Sequence, residues 1–438
     1  MQKNERDLKD DGKHVRIGIG VYDDRLSAVG LHPDGSRTAL SAPLSSGIEV
    51  SLDRLLTRFP TPAGDAVDSL AFDLSAVLRR ADDAPLTVVR IAPRPPVERT
   101  DEPHVGSAPI LHVRGGHTTL GDELAPFDAE GFRAASAGIP AGSRVVITSV
   151  GSFANPGHEL AAGEILLEHG GPLSVTFSHT FDSNSFATRE RTAELNGAMV
   201  ADAEALTTSL SLIAGRRFPG ARLSVTRNDG GRVPLSRLAS SPVHSALSGQ
   251  PMEFLGGAAF CGLAEGDLVL ATGEGPILGS VRDSVPAVVP QLRWNGARLA
   301  TQAAHLVPAT RILLHGRNPA PRLVKALGAE LDDWLDDGSA VEADTDLRAL
   351  GAAVAPLSDW ALGVVSAGNA AEMAHELRAA EARVHARLVA FGALPSTVRI
   401  VESRLVATTY EHARVVSVRV HGVATEPTGE GAHDAAER

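Results

Sequence analysis

Between residues 110 and 227 the chain alternates between short apolar segments typical of strands and longer segments with helical spacing of apolar residues. The apolar segments lie at 110–114, 144–150, 173–178 and 221–227, and the helical segments at 158–169 and 187–216. Strand–helix alternation of this kind predicts an α/β domain with a mostly parallel sheet. Ligands in such sheets usually lie at the carboxyl ends of the strands, so residues that directly follow a strand are the first candidates for a functional site.

Further strands and helices are predicted on both sides of this region. Apolar runs predict strands at 15–21, 26–31 and 86–93 and from 267, whereas helical spacing predicts helices at 51–59, at 65–81 and within 366–392. The remaining patterns are a hairpin turn at 32–35, a strand, turn and amphipathic helix at 309–335, and antiparallel strands at 397–423.

Two polar termini and one proline-rich stretch divide the chain. Residues 1–13 and 424–438 cannot bury enough apolar area to offset the entropy lost on ordering, so we expect both to be disordered. Residues 94–109 are rich in proline and acidic residues, which predicts an exposed linker. The resulting division is an N-terminal segment at 14–93 with the first glycine turn, an α/β lobe at 110–240 and a second lobe at 241–423.

Composition excludes several classes of function. The formal net charge of -12 argues against a general affinity for nucleic acid or for an anionic membrane surface. Cys261 is the sole cysteine, which excludes an internal disulfide and a cysteine-ligated metal site. No apolar run approaches the ~20 residues needed to span a bilayer, and the charged N-terminus lacks the apolar core of a signal peptide. We therefore expect a cytoplasmic protein.

Two glycine turns, IGIGVYDD at 17–24 and TGEG at 272–275, each follow an apolar strand. Main-chain amides in such turns can hold phosphate, and a two-lobed phosphotransfer ATPase places one turn on either side of its nucleotide. Any α/β protein also has strand–glycine turns with a purely structural role, so both interpretations stay open. The candidate nucleotide-binding residues are Gly18, Gly20, Asp23 and Asp24 in the first turn and Gly273 and Gly275 in the second.

Three other features are candidates for chemistry. His179 follows a predicted strand, where an α/β site often lies, although a hydrogen-bonded surface histidine would fit the same pattern. Asp229, in RNDGG, is either a site carboxylate or a turn residue. Asn228, Ser248 and Gly249 either line a ligand cleft or serve turn formation and helix packing. We take Asp229 and His179 as catalytic candidates and the other three as candidates for a substrate cleft.

A series of segments carries a family resemblance through its order. They are VRIGIGV (15–21), HVRGGHTTLGDELAPFD (112–128), SVGSFANPGHELAAGEIL (149–166), SVTFSHTFDSNSFATRERTAELNGAMV (174–200), LSVTRNDGG (223–231), PVHSALSGQPMEFLGGAAFCGL (242–263) and DLVLATGEG (267–275). In this order they resemble the hydantoinase A and 5-oxoprolinase subunits, and similarity in the C-terminal strands extends the resemblance to residue 423.

The resemblance implies the duplicated ribonuclease-H-like fold of actin and hexokinase, in which two α/β lobes with mixed sheets close on ATP. It also implies ATP-driven opening of a cyclic amide such as hydantoin, 5-oxoproline or a lactam, by hydrolysis of a C–N bond other than a peptide bond. A hydantoinase B-type subunit is the implied partner. Phosphorylation would turn an amide oxygen into a good leaving group, with Mg²⁺ and backbone amides stabilising the transferring charge.

Both glycine turns depart from the family's pattern. Tyr22, Asp23 and Asp24 stand in the first turn where the family has Gly-Gly-Thr. In the second turn Ala271 stands at the place of the leading aspartate, and Glu274 follows Gly273. A carboxylate repels phosphate unless a metal lies between them, and one hypothesis makes Asp23 and Asp24 the ligands of Mg²⁺.

Two functions therefore stay open. The first is a hydantoinase/oxoprolinase-like hydrolase that uses ATP and Mg²⁺. The second is a non-catalytic, degenerate relative that binds a small molecule or assembles with another subunit. The resemblance favours ATP and Mg²⁺, whereas the two altered turns argue against both, so the sequence leaves open whether the chain is an enzyme.

Overall fold

The structure is a computed structural model of the chain, and it describes most of the residues between 14 and 424. The described residues are 14–45, 47–61, 66–78, 86–95, 109–140, 142–168, 174–315, 317, 319–331, 334–335, 339–366, 368–407 and 415–424. The predicted disordered leader, nearly all of the predicted tail and most of the predicted linker lie outside these ranges. Ala424, the first residue assigned to the tail, instead ends a strand and is buried.

Strands and helices alternate through much of the described chain. The strands are β1 (His14–Val21), β2 (Arg25–Leu31), β3 (Arg37–Pro43), β4 (Ala66–Asp73), β5 (Leu86–Ala92), β6 (Ile110–Arg114), β7 (Arg144–Ser149), β8 (Ser174–Phe177), β9 (Arg222–Thr226), β10 (Arg232–Pro234), β11 (Gly266–Thr272), β12 (Gly275–Arg282), β13 (Val285–Pro286), β14 (Val288–Val289), β15 (Leu292–Trp294), β16 (Ala297–Leu299), β17 (Ala303–Ala304), β18 (Val307–Pro308), β19 (Arg322–Lys325), β20 (Val341–Glu342), β21 (Leu357–Ser366), β22 (Val398–Ala407) and β23 (Val415–Ala424). The α-helices are α1 (Ile48–Arg58), α2 (Ser75–Leu78), α3 (Ala129–Ser136), α4 (Gly157–Glu168), α5 (Phe186–Arg217), α6 (Gly249–Phe260), α7 (Arg311–Leu314), α8 (Leu347–Val354) and α9 (Ala370–Ala390).

The largest sheet has nine strands in the order β22-β23-β21-β10-β9-β4-β1-β2-β3 and joins the two ends of the described chain. It is mixed, because β1 pairs in parallel with β4 but antiparallel with β2. Apolar side chains of α1 and the second half of α5 cover one face, and α8 packs against the other face at β1, β2 and β4. This sheet and its helices form the first lobe. The C-terminal strands β21, β22 and β23 belong to it, although the sequence division places them with residues 241–423.

The second lobe is built on a sheet with the order β13-β12-β11-β19-β20, to which β18 adds by pairing with β12. Helices α6 and α8 lie between this sheet and the nine-stranded one, and both contribute to the core beneath β11. The two helices touch through backbone, since a Cβ on Gly256 would lie 1.8 Å from the carbonyl oxygen of Leu347. Small residues at this crossing let the lobes approach closely.

A third sheet, β6-β5-β7-β8, is entirely parallel. Helices α3 and α4 cover one face with apolar side chains, and α5 packs on β7 and β8. Three of the four strands predicted between residues 110 and 227 lie in this parallel sheet, as the alternation predicts. The fourth, β9, instead belongs to the mixed nine-stranded sheet, and β5 takes the fourth place here. In the described part of the chain, no helix is long and apolar enough to cross a membrane.

Most of the elements predicted from periodicity are present, including the long helix α5, the hairpin turn between β2 and β3 and the closing antiparallel strands. The helix predicted at 65–81 is wrong. Residues 66–73 form β4, which lies between β1 and β9, and its last five residues are all buried. A strand buried on both faces loses its alternating pattern, so its apolar spacing was mistaken for that of a helix.

The prediction for 309–335 is also wrong in its order. A single helical turn, α7, stands where the strand was expected, and Ile312 in it is 86% exposed. The strand instead follows at Arg322–Lys325, where it pairs in parallel with β11. Within the described residues of 326–335 there is no helix. Pairing with a central strand decides the conformation here, which local spacing does not reveal.

Candidate functional site

The two glycine turns meet at one cavity between the lobes. The first turn joins β1 to β2, and the second joins β11 to β12. Tyr22 from the first turn and Gly273 and Glu274 from the second line a cavity of about 680 Å³. The other lining residues come largely from α6, the segment 289–306 and the start of α8. The sequence-based expectation that the turns face each other across a cleft agrees with this geometry.

Tyr22 occupies the first turn with its ring held between two arginines. The guanidinium carbons of Arg25 and Arg348 lie 4.0 and 4.3 Å from the ring centroid. The phenol hydroxyl donates to Asp346, with both carboxylate oxygens at 2.8 Å. Burial, reinforced by the Asp346 carboxylate, raises the pKa of Tyr22 well above its usual range, so the phenol stays protonated and keeps donating.

Asp346 and Arg348 hold the start of α8 against the first lobe. Asp346 caps α8, because its Oδ1 accepts a hydrogen bond from the amide of Ala349 at 2.9 Å. The Nε of Arg348 lies 3.5 Å from the fully buried carboxylate of Asp73, at the end of β4. Tyr22 is therefore part of a polar network with Asp346, Arg348 and Asp73, which holds its side chain at the cavity.

The second turn is tight and uses its own polar groups. The Oγ1 of Thr272 donates to the carbonyl of Gly275 at 2.8 Å and accepts from the amide of Glu274 at 3.1 Å. Gly275 has a φ of 110°, a conformation that favours glycine. The exposed side chain of Glu274 projects at the cavity, so the turn presents a carboxylate there.

Glu253, on α6, also lines the cavity and was not singled out from the sequence. Burial raises the pKa of its carboxyl to about 7, with Arg348 opposing and Asp346, Glu274 and Asp73 adding to the rise. Its position in a mostly apolar helix was the available signal, because a carboxylate among buried residues needs an explanation. A carboxyl with a pKa near neutrality can exchange a proton with a bound molecule.

The remaining residues of the first turn lie apart from the cavity lining. Asp23 and Asp24 are exposed on the turn, and Asp24 is 3.4 Å from Arg25. Among the described residues, no group of three or more His, Cys, Asp or Glu side chains could hold a metal ion. Magnesium binding by these two aspartates stays a prediction.

Gly18 and Gly20 face α8. A Cβ on Gly18 would lie 1.9 Å from the carbonyl oxygen of Ala349, so glycine is required there for packing of strand on helix. A Cβ on Gly20 would meet the ring of Tyr22 at 3.3 Å. The structure therefore gives Gly18 a packing role, and a contact of either glycine with nucleotide stays a prediction.

Asp229 is buried and holds β21 against the turn between β9 and β10. Its Oδ2 accepts hydrogen bonds from Ser358 at 2.8 Å and from the indole of Trp360 at 2.7 Å, and its Oδ1 accepts from the amide of Gly231. Burial acts to raise the pKa of Asp229, but Arg227, His421 and the hydrogen bonds from Gly231 and Trp360 outweigh it, and the pKa is lowered. An ionised carboxylate with three donors is suited to holding a structure in place.

The three cleft candidates are tied into the scaffold. The side-chain Nδ2 of Asn228 donates to the carbonyl of Val243 at 2.9 Å, and its Oδ1 accepts from the backbone amide of Leu247 at 2.8 Å. Ser248 is fully buried, and its hydroxyl donates to Asp73 at 2.8 Å. Gly249 starts α6, where a Cβ would lie 3.0 Å from the guanidinium carbon of Arg348. Ser248 therefore bonds to the carboxylate of the Asp73–Arg348 pair, and Gly249 leaves room for the guanidinium.

His179 lies elsewhere, directly after β8 at the carboxyl end of the parallel sheet. Its Nδ1 is 2.7 Å from Glu159, a fully buried carboxylate on α4. This carboxylate also accepts hydrogen bonds from the backbone amides of Ser149 and His179 and from the hydroxyl of Ser178. Glu159 orients the imidazole, as a carboxylate does for a catalytic or metal-binding histidine. The catalytic candidates His179 and Asp229 thus lie in different clusters, and neither lines the interlobe cavity.

Comparison with known proteins supports the fold. The sequence matches no family profile and no curated protein. A nucleotide-free structure of acetone carboxylase, described as an ATP-dependent enzyme, superposes with a TM-score of 0.72 at 12% identity, over 95% of this chain and 88% of that one. An ATP-dependent caprolactamase from Pseudomonas jessenii superposes with a TM-score of 0.63 at 11% identity, over 94% and 88%. The two-lobed, actin-like fold predicted from the sequence is confirmed by these similarities.

Proposed function

We propose that the chain is a hydantoinase/oxoprolinase-like protein whose interlobe cavity no longer accepts Mg²⁺ and ATP, and that it serves as a binding or assembly subunit. The observation that carries this proposal is the position of Tyr22. Its ring lies between Arg25 and Arg348, and its hydroxyl is bonded to Asp346, in the turn that would face the phosphates.

The polar groups at the cavity fit a polyphosphate poorly. The amide of Tyr22 donates within its own turn to the carbonyl of Arg25 at 2.9 Å, and the amide of Glu274 is bonded to Thr272. The carboxyl groups of Glu253, Glu274 and Asp346 line the cavity together with Arg25, Arg293 and Arg348. Arg348 is already paired with Asp73, and Arg25 lies 3.9 Å from Asp346, so these two cations are partly neutralised within the protein.

A metal ion bound between these carboxyl groups and a phosphate would reduce the repulsion between them. The acidic residues of the first turn, Asp23 and Asp24, are not among the residues that line the cavity. We therefore derive no catalytic step through Mg²⁺ or ATP for this chain.

The proposal is tested by measuring ATP consumption. Purified protein is incubated with Mg·ATP and hydantoin, 5-oxoproline or caprolactam, alone and after co-expression with a hydantoinase B-type subunit. We expect no substrate-dependent release of phosphate in any combination. Release that depends on one of the cyclic amides would refute the proposal.

Assembly is tested separately by co-purification. A tagged version of the chain, expressed together with the B-type subunit, is expected to retain that subunit through size-exclusion chromatography. The Tyr22→Phe variant is a suitable control, because an assembly surface elsewhere on the molecule should be unaffected by the cavity. Separate elution of the two chains would remove the assembly part of the proposal.

ATP-dependent opening of a cyclic amide is the second candidate function. The cavity volume of about 680 Å³ lies within the range of ordinary ligand sites, and both similar structures are described as ATP-dependent. In this alternative Tyr22 moves out of the turn when nucleotide enters. The ATP consumption assay distinguishes the two candidates directly.

A further inference from the structure

A second, smaller cavity lies on the nine-stranded sheet. It has a volume of about 200 Å³ and is bounded by β9, β10 and β21, by α9 and by the turn that follows β8. Sites for drug-sized ligands typically measure about 300–1,000 Å³, so this cavity suits a smaller organic molecule.

The charges that line this cavity are mostly arginines. Three arginines and two aspartates line it: Arg227, Arg237, Arg387, Asp182 and Asp359. One of the arginines is already paired, since the Nε of Arg387 lies 2.7 Å from Asp359. Burial, with Arg227 adding to the effect, lowers the pKa of the lining His244 to about 3, so this imidazole is neutral and adds no charge.

Arg227 has a buried N–H group without an acceptor in the described part of the chain. Its side chain is 12% exposed, and its Nε has no hydrogen-bond partner among the described residues. The nearest carboxylate oxygen, on Asp229, is 3.8 Å away and already accepts from Ser358 and Trp360. A buried guanidinium with an unused N–H favours a ligand that brings an acceptor oxygen.

Arg237 provides a second cation at the same cavity. It is exposed, and its guanidinium carbon lies 5.5 Å from the ring centroid of Phe391. Thr180, Ser240 and Ser241 also line the space, although the hydroxyls of Thr180 and Ser240 already donate to the carbonyls of Phe177 and Arg237. A planar guanidinium matches a carboxylate or a phosphate with two parallel hydrogen bonds.

We propose that this cavity binds a small organic acid through its carboxylate, with Arg227 as the buried anchor and Arg237 at the entrance. The site is separate from the interlobe cavity and does not depend on the function proposed for that cavity. Val225, Val233 and Leu238 line the remaining wall, which suits a short aliphatic chain on the acid.

The test is calorimetric titration of the full chain with propionate, pyruvate, succinate and inorganic phosphate, with propionamide as the neutral counterpart of propionate. We expect saturable binding of at least one carboxylate and none of the amide. Arg227→Gln should weaken that binding at least about tenfold, because one charge-assisted contact is lost. Arg25→Gln, in the interlobe cavity, should leave it unchanged.

Arg227 is largely buried, so its variant is first checked by circular dichroism. The exposed Arg237→Gln variant provides an independent test that does not depend on a buried substitution, and it too should weaken binding. Equal binding of propionate and propionamide, binding of inorganic phosphate alone, no saturable binding of any of the acids, or unchanged affinity in both arginine variants would each overturn the proposal.

Discussion

The hydrogen bond between Tyr22 and Asp346 provides the sharpest test of the polar network in the first turn. Tyr22→Phe removes one hydroxyl and leaves the ring in place. The contacts of the ring with Arg25 and Arg348, at 4.0 and 4.3 Å, should therefore persist. The change isolates the bond from the phenol to the carboxylate.

The expected cost follows from the contacts at that carboxylate. A hydrogen bond to a charged group contributes about 1.5–3 kcal/mol to folding. Tyr22 is half-buried, and Arg25 remains 3.9 Å from Asp346 when the hydroxyl is lost. We therefore expect the lower part of that range, about 1.5–2 kcal/mol.

Urea unfolding of the single variants Tyr22→Phe and Asp346→Asn and of the double variant measures the coupling between the two side chains. Asparagine still caps α8, so this cycle removes the charge and keeps the helix start. We expect a coupling of at least about 1 kcal/mol, whereas free energies of unfolding that add within about 0.5 kcal/mol would show that the two side chains are independent. Asp24→Asn, on the same turn but exposed, should change stability by less than about 0.5 kcal/mol.

Three further predictions concern packing, pH and the buried aspartate. Gly18→Ala should destabilise the protein by about 2 kcal/mol or more in urea unfolding because its Cβ would overlap the backbone of α8, whereas Gly363→Ala, with no atom within 4 Å, should be tolerated. The raised pKa of Glu253 favours its protonated form in the folded state, so this stabilisation is complete below about pH 4.5 and is lost as the pH rises through about 7. Glu253→Gln should flatten this part of a stability–pH profile, and an unchanged slope would contradict the assignment. Asp229→Asn should cost about 2–3 kcal/mol and alter the fluorescence of Trp360, which donates to it, whereas unchanged stability would argue against its role in holding β21.

Much of the secondary structure can be predicted from the sequence, because the spacing of apolar residues distinguishes most strands from helices. The strands around residues 144–149 and 222–226 and the helix Phe186–Arg217 were predicted from apolar spacing. The helix predicted at 65–81 is wrong because Ala66–Asp73 form a strand that is buried on both faces and therefore lacks the alternating pattern of a half-buried strand.

The candidate site was only partly accessible from the sequence. Tyr22, Gly273 and Glu274 do meet at one cavity, as the two-turn interpretation requires. Asp346 had a usable signal, since an aspartate before an apolar run predicts a helix cap. Arg348 had none, because its approach to Asp73 joins residues more than 250 positions apart through the packing of α8 on β4.

The same limit applies to the second cavity. RNDGG marked Asp229 as a candidate, and its neighbour Arg227 was not singled out. Whether a buried arginine lacks an acceptor depends on strands and helices that are distant in sequence, among them β21 and α9. Such information exists only in the folded chain.

We propose that the interlobe cavity does not bind Mg·ATP. Calorimetric titration of the full chain with Mg·ATP up to millimolar concentration measures this binding, and we expect no saturable heat of binding. Saturable binding that weakens when Gly273 or Glu274 is substituted would overturn the proposal, because it would place the phosphates at the second glycine turn.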